Sequence, residues 1–154
     1  MNKLIAGSLL LLAVLGIGGY SWTQAQTQTQ TETQTRIMFG NVVLIVEIAS
    51  TPAAQQKGLS GRTILASDHG MLFVFDHQDY WGFWMPDMNF PLDIIWFNSN
   101  QQAVFIEQNL QPCTPQNCPV FTPDVKAMYV LEVNGGFVMA HQIALGTTFT
   151  FLNT

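Results

Sequence analysis

The segment Arg36–Ala49, RIMFGNVVLIVEIA, decides the fold class of this chain. Two apolar runs flank the pair Gly40-Asn41, and such a pair between apolar runs is typical of a tight β-hairpin turn with positive φ. In the second run, Val42–Ala49, both alternating sets of side chains are largely apolar. This pattern predicts a strand that is buried on both faces.

Short apolar runs separated by turn residues continue to the end of the chain. Thr51 and Pro52 are suited to begin a short helix over 53–57, and Gly58 is suited to end it. The segment 137–143 fits either a short helix or a strand. The remaining apolar runs are predicted strands, at 71–75, 81–85, 92–97, 103–107, 126–133 and 147–152. About seven short strands with one or two short helices predict a mainly β domain, either a small sandwich or a barrel.

Composition limits the classes of function. The 154 residues are 48% hydrophobic and 10% charged, which excludes a disordered chain. Ten acidic residues against five basic ones give a formal net charge of −5. Because phosphate binding needs clustered Lys and Arg, we expect no nucleic acid partner. The length predicts a single domain.

The N-terminal segment has the pattern of an export signal. Met1–Lys3 is a short basic start, and residues 4–22 are almost purely apolar. This predicts a signal peptide over residues 1–25, cleaved after Ala25, or an uncleaved membrane anchor.

The folded domain is expected to follow a short linker. Residues 26–35 are rich in Gln and Thr and predict a flexible segment. Residues 36–154 then form the single β domain. We expect it to be extracytoplasmic, periplasmic or secreted, and to be membrane-associated only through residues 4–22 if these are not cleaved.

The chain has two cysteines, Cys113 and Cys118, in a proline-rich segment. Two nearby cysteines of an exported protein usually form a disulfide. A redox pair normally has C-x-x-C spacing, and a zinc site needs more ligands than this pair supplies. We therefore expect a disulfide, which fixes a loop.

Five motifs occur in an order that resembles one known family. They are Gly58–Arg62, Gly70–Phe75, Phe83–Met85, Pro91–Ile95 and Leu131–Gly136. In this order the chain resembles the family catalogued as domain of unknown function 192, over roughly residues 42–152. The resemblance implies a mainly β, jelly-roll-like fold, and many members are exported. The family has no established activity, so the resemblance implies a fold and no reaction.

Asp87-Met88 is one of several departures from the family pattern; the others are Ser60, Gly135 and Thr147. The family often has Asn-Thr in place of Asp87-Met88. This change puts in doubt any polar role for this loop.

Three charged residues lie within otherwise apolar motifs: Arg62, Asp93 and Glu132. Charges at half-buried positions must be paired and hydrogen-bonded, or they destabilise the fold. One interpretation is a structural ion-pair network in which Arg62 holds one or both carboxylates. The other is a pocket in which Arg62 and a carboxylate bind a polar or anionic ligand, with Trp84 and Met85 in its wall.

An aromatic cluster accompanies these charges. Tyr80, Trp81, Phe83, Trp84 and Trp96 are close in sequence or in neighbouring predicted strands. One face of this cluster is expected to be core. The other face either packs in the core as well or lines a groove for a sugar ring or an apolar ligand.

A copper site is an alternative. His69 and Met71 are two residues apart, as are Met139 and His141. On a strand this spacing places both side chains on one face, and His and Met are ligands that suit Cu(I). Methionines are also ordinary core residues, so we expect neither a metal nor another cofactor.

We therefore expect an exported, non-enzymatic β domain that binds a small ligand or a component of the cell envelope. The first alternative is a hydrolase that acts on an envelope or other exported substrate. The second is a purely structural or partner-binding module. The sequence does not distinguish oligomeric states.

Overall fold

The computed structural model describes residues 34–114 and 116–152. Within them the chain forms seven strands and two short helices. In chain order these are β1 (Thr35–Phe39), β2 (Val42–Ala49), α1 (Pro52–Lys57), β3 (His69–Asp79), β4 (Leu92–Phe97), β5 (Ala103–Leu110), β6 (Ala127–Asn134), α2 (Phe137–Ala140) and β7 (Phe149–Leu152).

The strands form one sheet in the order β5-β4-β6-β3-β2-β1-β7. Neighbours are antiparallel except β2 and β3, which are parallel because α1 and the segment after it return the chain across the sheet. The two end strands also approach each other. Gln102 and Thr148 form an isolated bridge, and the Ala103 N–H donates to the Thr147 carbonyl at 2.8 Å. The sheet is therefore curled into a half-barrel.

Each face of the sheet is covered by a hydrophobic cluster, since alternate residues of a strand point to opposite faces. The inner face of the curl carries a cluster to which all seven strands contribute, together with Phe137 and Val138 of α2. The outer face carries a second cluster. It packs against α1 and three loops, which we call the arginine loop (58–65), the aromatic loop (80–90) and the cysteine loop (111–121).

Local sequence signals explain how α1 is placed on the outer face. Thr51 Oγ1 accepts the N–H of Ala54 at 3.2 Å and caps the helix at its start. The Gln55 side-chain amide donates to the carbonyls of Ala49 and Val74, at 3.3 and 3.0 Å, and so ties the helix to β2 and β3. Gly58 ends the helix with φ +50°, a conformation that glycine adopts readily.

The structure confirms the mainly β fold, the hairpin about Gly40-Asn41 and the two short helices. The segment 137–143, for which helix and strand were both open, contains α2. The predicted strand at 81–85 is wrong. This segment has one isolated bridge, Phe83 with Phe121, and Pro86 with Cys113 forms another directly after it. Trp81 and Phe83 pack on the sheet instead of extending it.

The cysteines form the expected disulfide, Cys113–Cys118. A disulfide suggests an oxidising, extracytoplasmic environment. The predicted signal or anchor segment, 1–25, lies outside the described residues, as do residues 26–33 of the predicted linker. Among the described residues, none of the helices has the length and hydrophobicity needed to span a bilayer.

Candidate functional site

A row of five residues crosses the outer face of the sheet and contains three glutamates. Glu47 on β2 is opposite Met71 on β3, and Met71 is opposite Glu132 on β6. The row continues through Ile94 on β4 to Glu107 on β5. Side chains that pair across strands lie on the same face, so Glu47 and Glu132 lie two strand spacings apart, about 10 Å.

Arg62 binds the first glutamate of this row. The Arg62 guanidinium donates to both carboxylate oxygens of Glu47, at 2.5 and 2.6 Å. The hydrogen bonds from Arg62 hold the pKa of Glu47 below its ordinary value. Arg62 thus forms its ion pair with Glu47. The ion-pair interpretation expected Arg62 to hold Asp93 or Glu132 instead.

Glu132 is buried in a different way. Its side chain is 5% exposed, and its Oε2 atom has no hydrogen-bond partner among the described residues. Burial raises the pKa of Glu132 from the ordinary 4.5 to about 8, and the charge of Arg62 lowers it in part. The carboxyl is therefore protonated and neutral at pH 7.

The end of α1 lies directly against this carboxyl. A Cβ atom added to Gly58 would be 3.7 Å from Glu132 Oε2 and 3.4 Å from the Phe73 ring. Close approach and positive φ together explain a glycine at this position. The backbone of Gly58 thus forms one wall beside Glu132.

Glu132 is part of the lining of a pocket of about 180 Å³ between α1 and the aromatic loop. The remaining lining comes from α1, the arginine loop, β3 and the aromatic loop. These residues are Gln55, Gln56, Lys57, Gly58, Leu59, Ser60, Phe73, Phe75, Trp81, Gly82, Phe83, Trp84 and Met88. Lys57 is the one lining residue besides Glu132 that has an ionisable side chain.

The aromatic walls of the pocket divide into packed and exposed rings. Phe75 and Trp81 stack with centroids 3.9 Å apart, and Phe73 packs edge-to-face on Phe83 at 4.8 Å. Trp84 is 53% exposed. Trp81 contributes a second buried polar atom, its Nε1, which has no acceptor within the described part of the chain.

Hydrogen bonds hold the arginine loop against the aromatic loop. Ser60 Oγ donates to the Pro86 carbonyl at 3.2 Å, and the Gly61 N–H donates to the Asp87 carbonyl at 2.8 Å. Asp87 has a φ of +56°. In this segment Met88 lines the pocket and the backbone of Asp87 makes the contact with the arginine loop.

The cysteine loop supports the aromatic loop from its other side. Phe83 and Phe121 exchange backbone hydrogen bonds of 2.9 and 2.7 Å. The Cys113 N–H donates to the Met85 carbonyl at 3.1 Å. The disulfide thus fixes the backing of the pocket wall.

Asp93 lies on the other face of the sheet. It pairs with Val133 on β6, whereas Glu132 pairs with Ile94. Asp93 is fully buried and accepts three backbone N–H groups, from Asn109 and Val138 at 2.7 Å and from Gly136 at 3.1 Å. The two acids therefore do not form a carboxyl pair, and Asp93 ties β5 to the start of α2.

The remaining candidate residues are distributed over the molecule. Met85 is fully buried in the outer cluster and does not line the pocket. Met71 is also a core residue, His69 pairs with its neighbour Asp68, and Met139 and His141 lie on or after α2. Among the described residues, groups of three or more His, Cys, Asp or Glu that could hold a metal are absent.

The structure thus brings together two of the five predicted site residues, Trp84 and Glu132, with Arg62 beside them. Sequence analysis missed Glu47 as the partner of Arg62, because the parallel pairing of β2 with β3 leaves no local signal. It also did not predict that α1 lines the pocket, although it identified Gly58 as the end of this helix.

A family model matches residues 32–151, nearly the whole described domain. The model is that of domain of unknown function 192, described as an uncharacterized ACR. The chain belongs to this family. No curated protein matches the chain.

Two solved structures of the same fold are similar to this chain. One is a candidate transcription regulator from Sinorhizobium meliloti 1021, with a TM-score of 0.71 and 27% identity over 77% of this chain and 93% of that one. The other is a protein of unknown function from Novosphingobium aromaticivorans DSM 12444, with a TM-score of 0.70 and 29% identity over 75% and 83% of the two chains. These two structures support the fold of this chain and leave its biochemical function open.

Proposed function

We propose that this domain binds a small molecule in the pocket between α1 and the aromatic loop. The single observation that carries the proposal is the Glu132 carboxyl, whose buried Oε2 has no partner among the described residues. A buried polar atom without a partner destabilises a fold by about 1–3 kcal/mol. A ligand that hydrogen-bonds to Glu132 would remove this penalty.

The surroundings of Glu132 support a ligand and not only a packing defect. The pocket is concave, and its lining combines aromatic rings with polar side chains from α1 and the arginine loop, a combination that small-molecule sites use. A carboxyl with a strongly raised pKa in such a pocket is a frequent mark of a functional site.

A thermal-shift screen of the full chain tests the proposal. The panel contains neutral, cationic and anionic small molecules. A ligand that binds only the folded state raises Tm. We expect at least one class to raise Tm in the wild type and to lose this effect in Glu132→Leu and Trp84→Ala.

Two matched controls come from the same protein. Glu107→Gln removes a glutamate from the same row outside the pocket, and Tyr80→Ala removes a half-exposed aromatic ring outside it. Both are expected to keep the ligand response. A panel without any response, or a response that both pocket variants keep, would contradict the proposal.

A hydrolase is the alternative with less support. Glu132 could act as an acid because its pKa is raised, but among the lining residues it is the only carboxyl. Glycoside hydrolysis ordinarily needs a second one. Turnover of an envelope polysaccharide that Glu132→Gln abolishes without unfolding would favour the enzyme over the binding module.

A purely structural or partner-binding module is the other alternative. It predicts that the wild type responds to no small molecule in the screen. It also predicts that substitutions in the pocket change stability alone.

The Sinorhizobium protein is described as a candidate transcription regulator. The charges of the present chain nevertheless disfavour nucleic acid as its ligand. Arg62 is neutralised by Glu47, and Lys126 lies over the Tyr80 ring at 5.7 Å. The net charge of −5 opposes binding to phosphates.

We also propose that the domain acts outside the cytoplasm. The disulfide and the apolar segment 4–22 support this location. Cell fractionation and intact mass measurement test it: a mature chain that begins at Gln26 indicates a cleaved signal, and a full-length membrane-bound chain indicates an anchor. A full-length cytoplasmic chain with reduced cysteines would contradict export.

A further inference from the structure

We propose that the ligand of this pocket is one neutral sugar ring, which stacks on Trp84 and hydrogen-bonds to Glu132 and Trp81. The inference rests on the proposed binding function and specifies its ligand class. The source of the ring, a free monosaccharide or a unit of a polysaccharide, is left to the experiment.

Two residues of the pocket lining, Trp81 and Glu132, each carry a buried polar atom, and the two atoms have complementary requirements. Trp81 Nε1 can only donate a hydrogen bond, whereas the Glu132 carboxyl can accept one and, when protonated, donate one. Neither Trp81 Nε1 nor Glu132 Oε2 has a partner within the described residues. A hydroxyl group accepts from an indole and also exchanges hydrogen bonds with a carboxyl. A ligand with several hydroxyl groups on one rigid frame can therefore serve both atoms.

Trp84 provides the apolar contact. Its neighbours in the wall are occupied with one another, since Phe75 stacks on Trp81 and Phe73 packs on Phe83. Trp84 is 53% exposed and so can receive a ligand on its ring face. The face of an indole is electron-rich. It attracts C–H bonds that neighbouring oxygens polarise, and one face of a sugar ring presents such bonds.

The charges of the site favour a neutral ligand. Arg62 and Glu47 neutralise each other, and Glu132 is uncharged at pH 7 because burial raises its pKa. The charge that is left in the lining is the ammonium group of Lys57. An ammonium ligand would meet this like charge without an ionised counterion. The Lys57 side chain is exposed, so water and salt screen its charge and an anion gains little from it.

The volume of the pocket favours a single ring. Its 180 Å³ is smaller than the ~300–1,000 Å³ of sites for drug-sized ligands. One substituted six-membered ring is of this size, and an oligosaccharide would have to extend outside.

Ligand-observed NMR by saturation transfer to the full chain tests the inference. The neutral probes are methyl glucoside, methyl galactoside and N-acetylglucosamine. The comparison probes are cyclohexanol, which has the ring without the additional hydroxyls, glucuronate, which is anionic, and benzylamine, which is cationic at pH 7. Chitobiose then compares a polymer unit with the free ring.

We expect at least one neutral sugar to bind more tightly than all three comparison probes. Its affinity should fall by about tenfold or more in Trp84→Ala and in Glu132→Leu, since each loses a direct ligand contact. Tyr80→Ala and Glu107→Gln should keep the wild-type affinity. Circular dichroism of each variant establishes that it is folded, and Trp84→Phe, which keeps an aromatic ring, should bind better than Trp84→Ala.

Two results would overturn the inference and are distinguishable from failure of the proposed function. If benzylamine or glucuronate binds at Trp84 and Glu132 while no sugar does, the pocket is a ligand site of another class. If a sugar binds equally well to the pocket variants, it binds elsewhere. If none of the probes binds and the wider thermal-shift panel is also silent, the proposed function itself fails.

Discussion

Two buried acids on adjacent strands, Asp93 on β4 and Glu132 on β6, differ in whether the protein satisfies their carboxyl groups with hydrogen bonds. Asp93 faces the inner cluster and accepts three backbone N–H groups. Glu132 faces the outer cluster and has an oxygen without a partner within the described part of the chain. Burial alone therefore does not mark a functional acid. The difference lies in whether the protein satisfies the carboxyl by itself.

The satisfied acid has a structural task. Asn109 has a φ of +52° near the end of β5, and Gly136 has a φ of +88° before α2. Asp93 accepts the N–H of both residues and thereby stabilises two unusual backbone conformations at once. Glu132 holds no such backbone conformation among the described residues, which is why we assign it to ligand binding.

The comparison predicts the largest loss of stability for Asp93→Ala. Three backbone N–H groups, one buried and two partly buried, would lose their acceptor, so we expect a loss of roughly 3–5 kcal/mol in the free energy of unfolding. Urea denaturation measures it. Asp124→Ala, at an exposed aspartate, should change stability by less than about 0.5 kcal/mol. A loss below 1 kcal/mol at Asp93 would show that its hydrogen bonds contribute little, contrary to the comparison.

Glu132→Gln should have the opposite effect to Asp93→Ala and should stabilise the protein relative to wild type at alkaline pH. In the unfolded chain Glu132 ionises near pH 4.5, whereas in the folded chain it stays protonated until about pH 8. Between these values the unfolded state binds fewer protons, so the free energy of unfolding falls as the pH rises. The stabilisation is complete below pH 4.5 and is lost as the pH rises through about 8.

A glutamine side chain does not titrate, so the free energy of unfolding of Glu132→Gln does not fall in this way as the pH rises. We expect Glu132→Gln to gain on the order of 3 kcal/mol relative to wild type between the acid and the alkaline ends of this range. Denaturation curves of both proteins at several pH values measure the gain, and Glu107→Gln is the control. A constant difference across the pH range would mean that Glu132 titrates normally.

Removal of the disulfide should affect the outer face more than the inner one. Cys113→Ser with Cys118→Ser releases a short loop, which by loop entropy should lower stability by about 2 kcal/mol. Hydrogen exchange should increase at Phe83 and Phe121, which the loop connects, and stay unchanged at Val138, which is bound to Asp93. Equal increases in hydrogen exchange on both faces of the sheet would contradict the expectation that the disulfide supports mainly the outer face.

The Arg62–Glu47 pair should contribute least. Both side chains are partly exposed, at 34% and 51%, and exposed pairs contribute about 0.2–1 kcal/mol. A double-mutant cycle with Arg62→Ala and Glu47→Ala should give a coupling energy in this range. Arg62→Ala should also raise the pKa of Glu132 further, because the charge of Arg62 lowers it. A fall in that pKa would contradict the assigned electrostatics.

Local signals made much of the fold predictable. Gly40-Asn41 predicted the hairpin, and Thr51-Pro52 with Gly58 predicted α1, because turns and caps depend on neighbouring residues. The strand at 81–85 was predicted wrongly. Alternating aromatic residues there are used for packing over the sheet, and composition does not separate this arrangement from a strand.

The site was predictable only in part, for a related reason. Trp84 and Glu132 stood out as an aromatic motif and a charge in an apolar strand. Which acid Arg62 reaches, and on which face Asp93 lies, depends on strand register and on the crossover between β2 and β3. These are properties of the assembled sheet.

Titration of the Glu132 side-chain carboxyl by carbon-13 NMR tests the central claim most directly. The account predicts a pKa of about 8 for Glu132 in the ligand-free chain, because the carboxyl is buried beside Gly58 and Phe73 without a hydrogen bond to its Oε2 from any described residue. A value near the ordinary 4.5 would show that water or another group already satisfies the carboxyl, and would contradict its assignment as the centre of a ligand site.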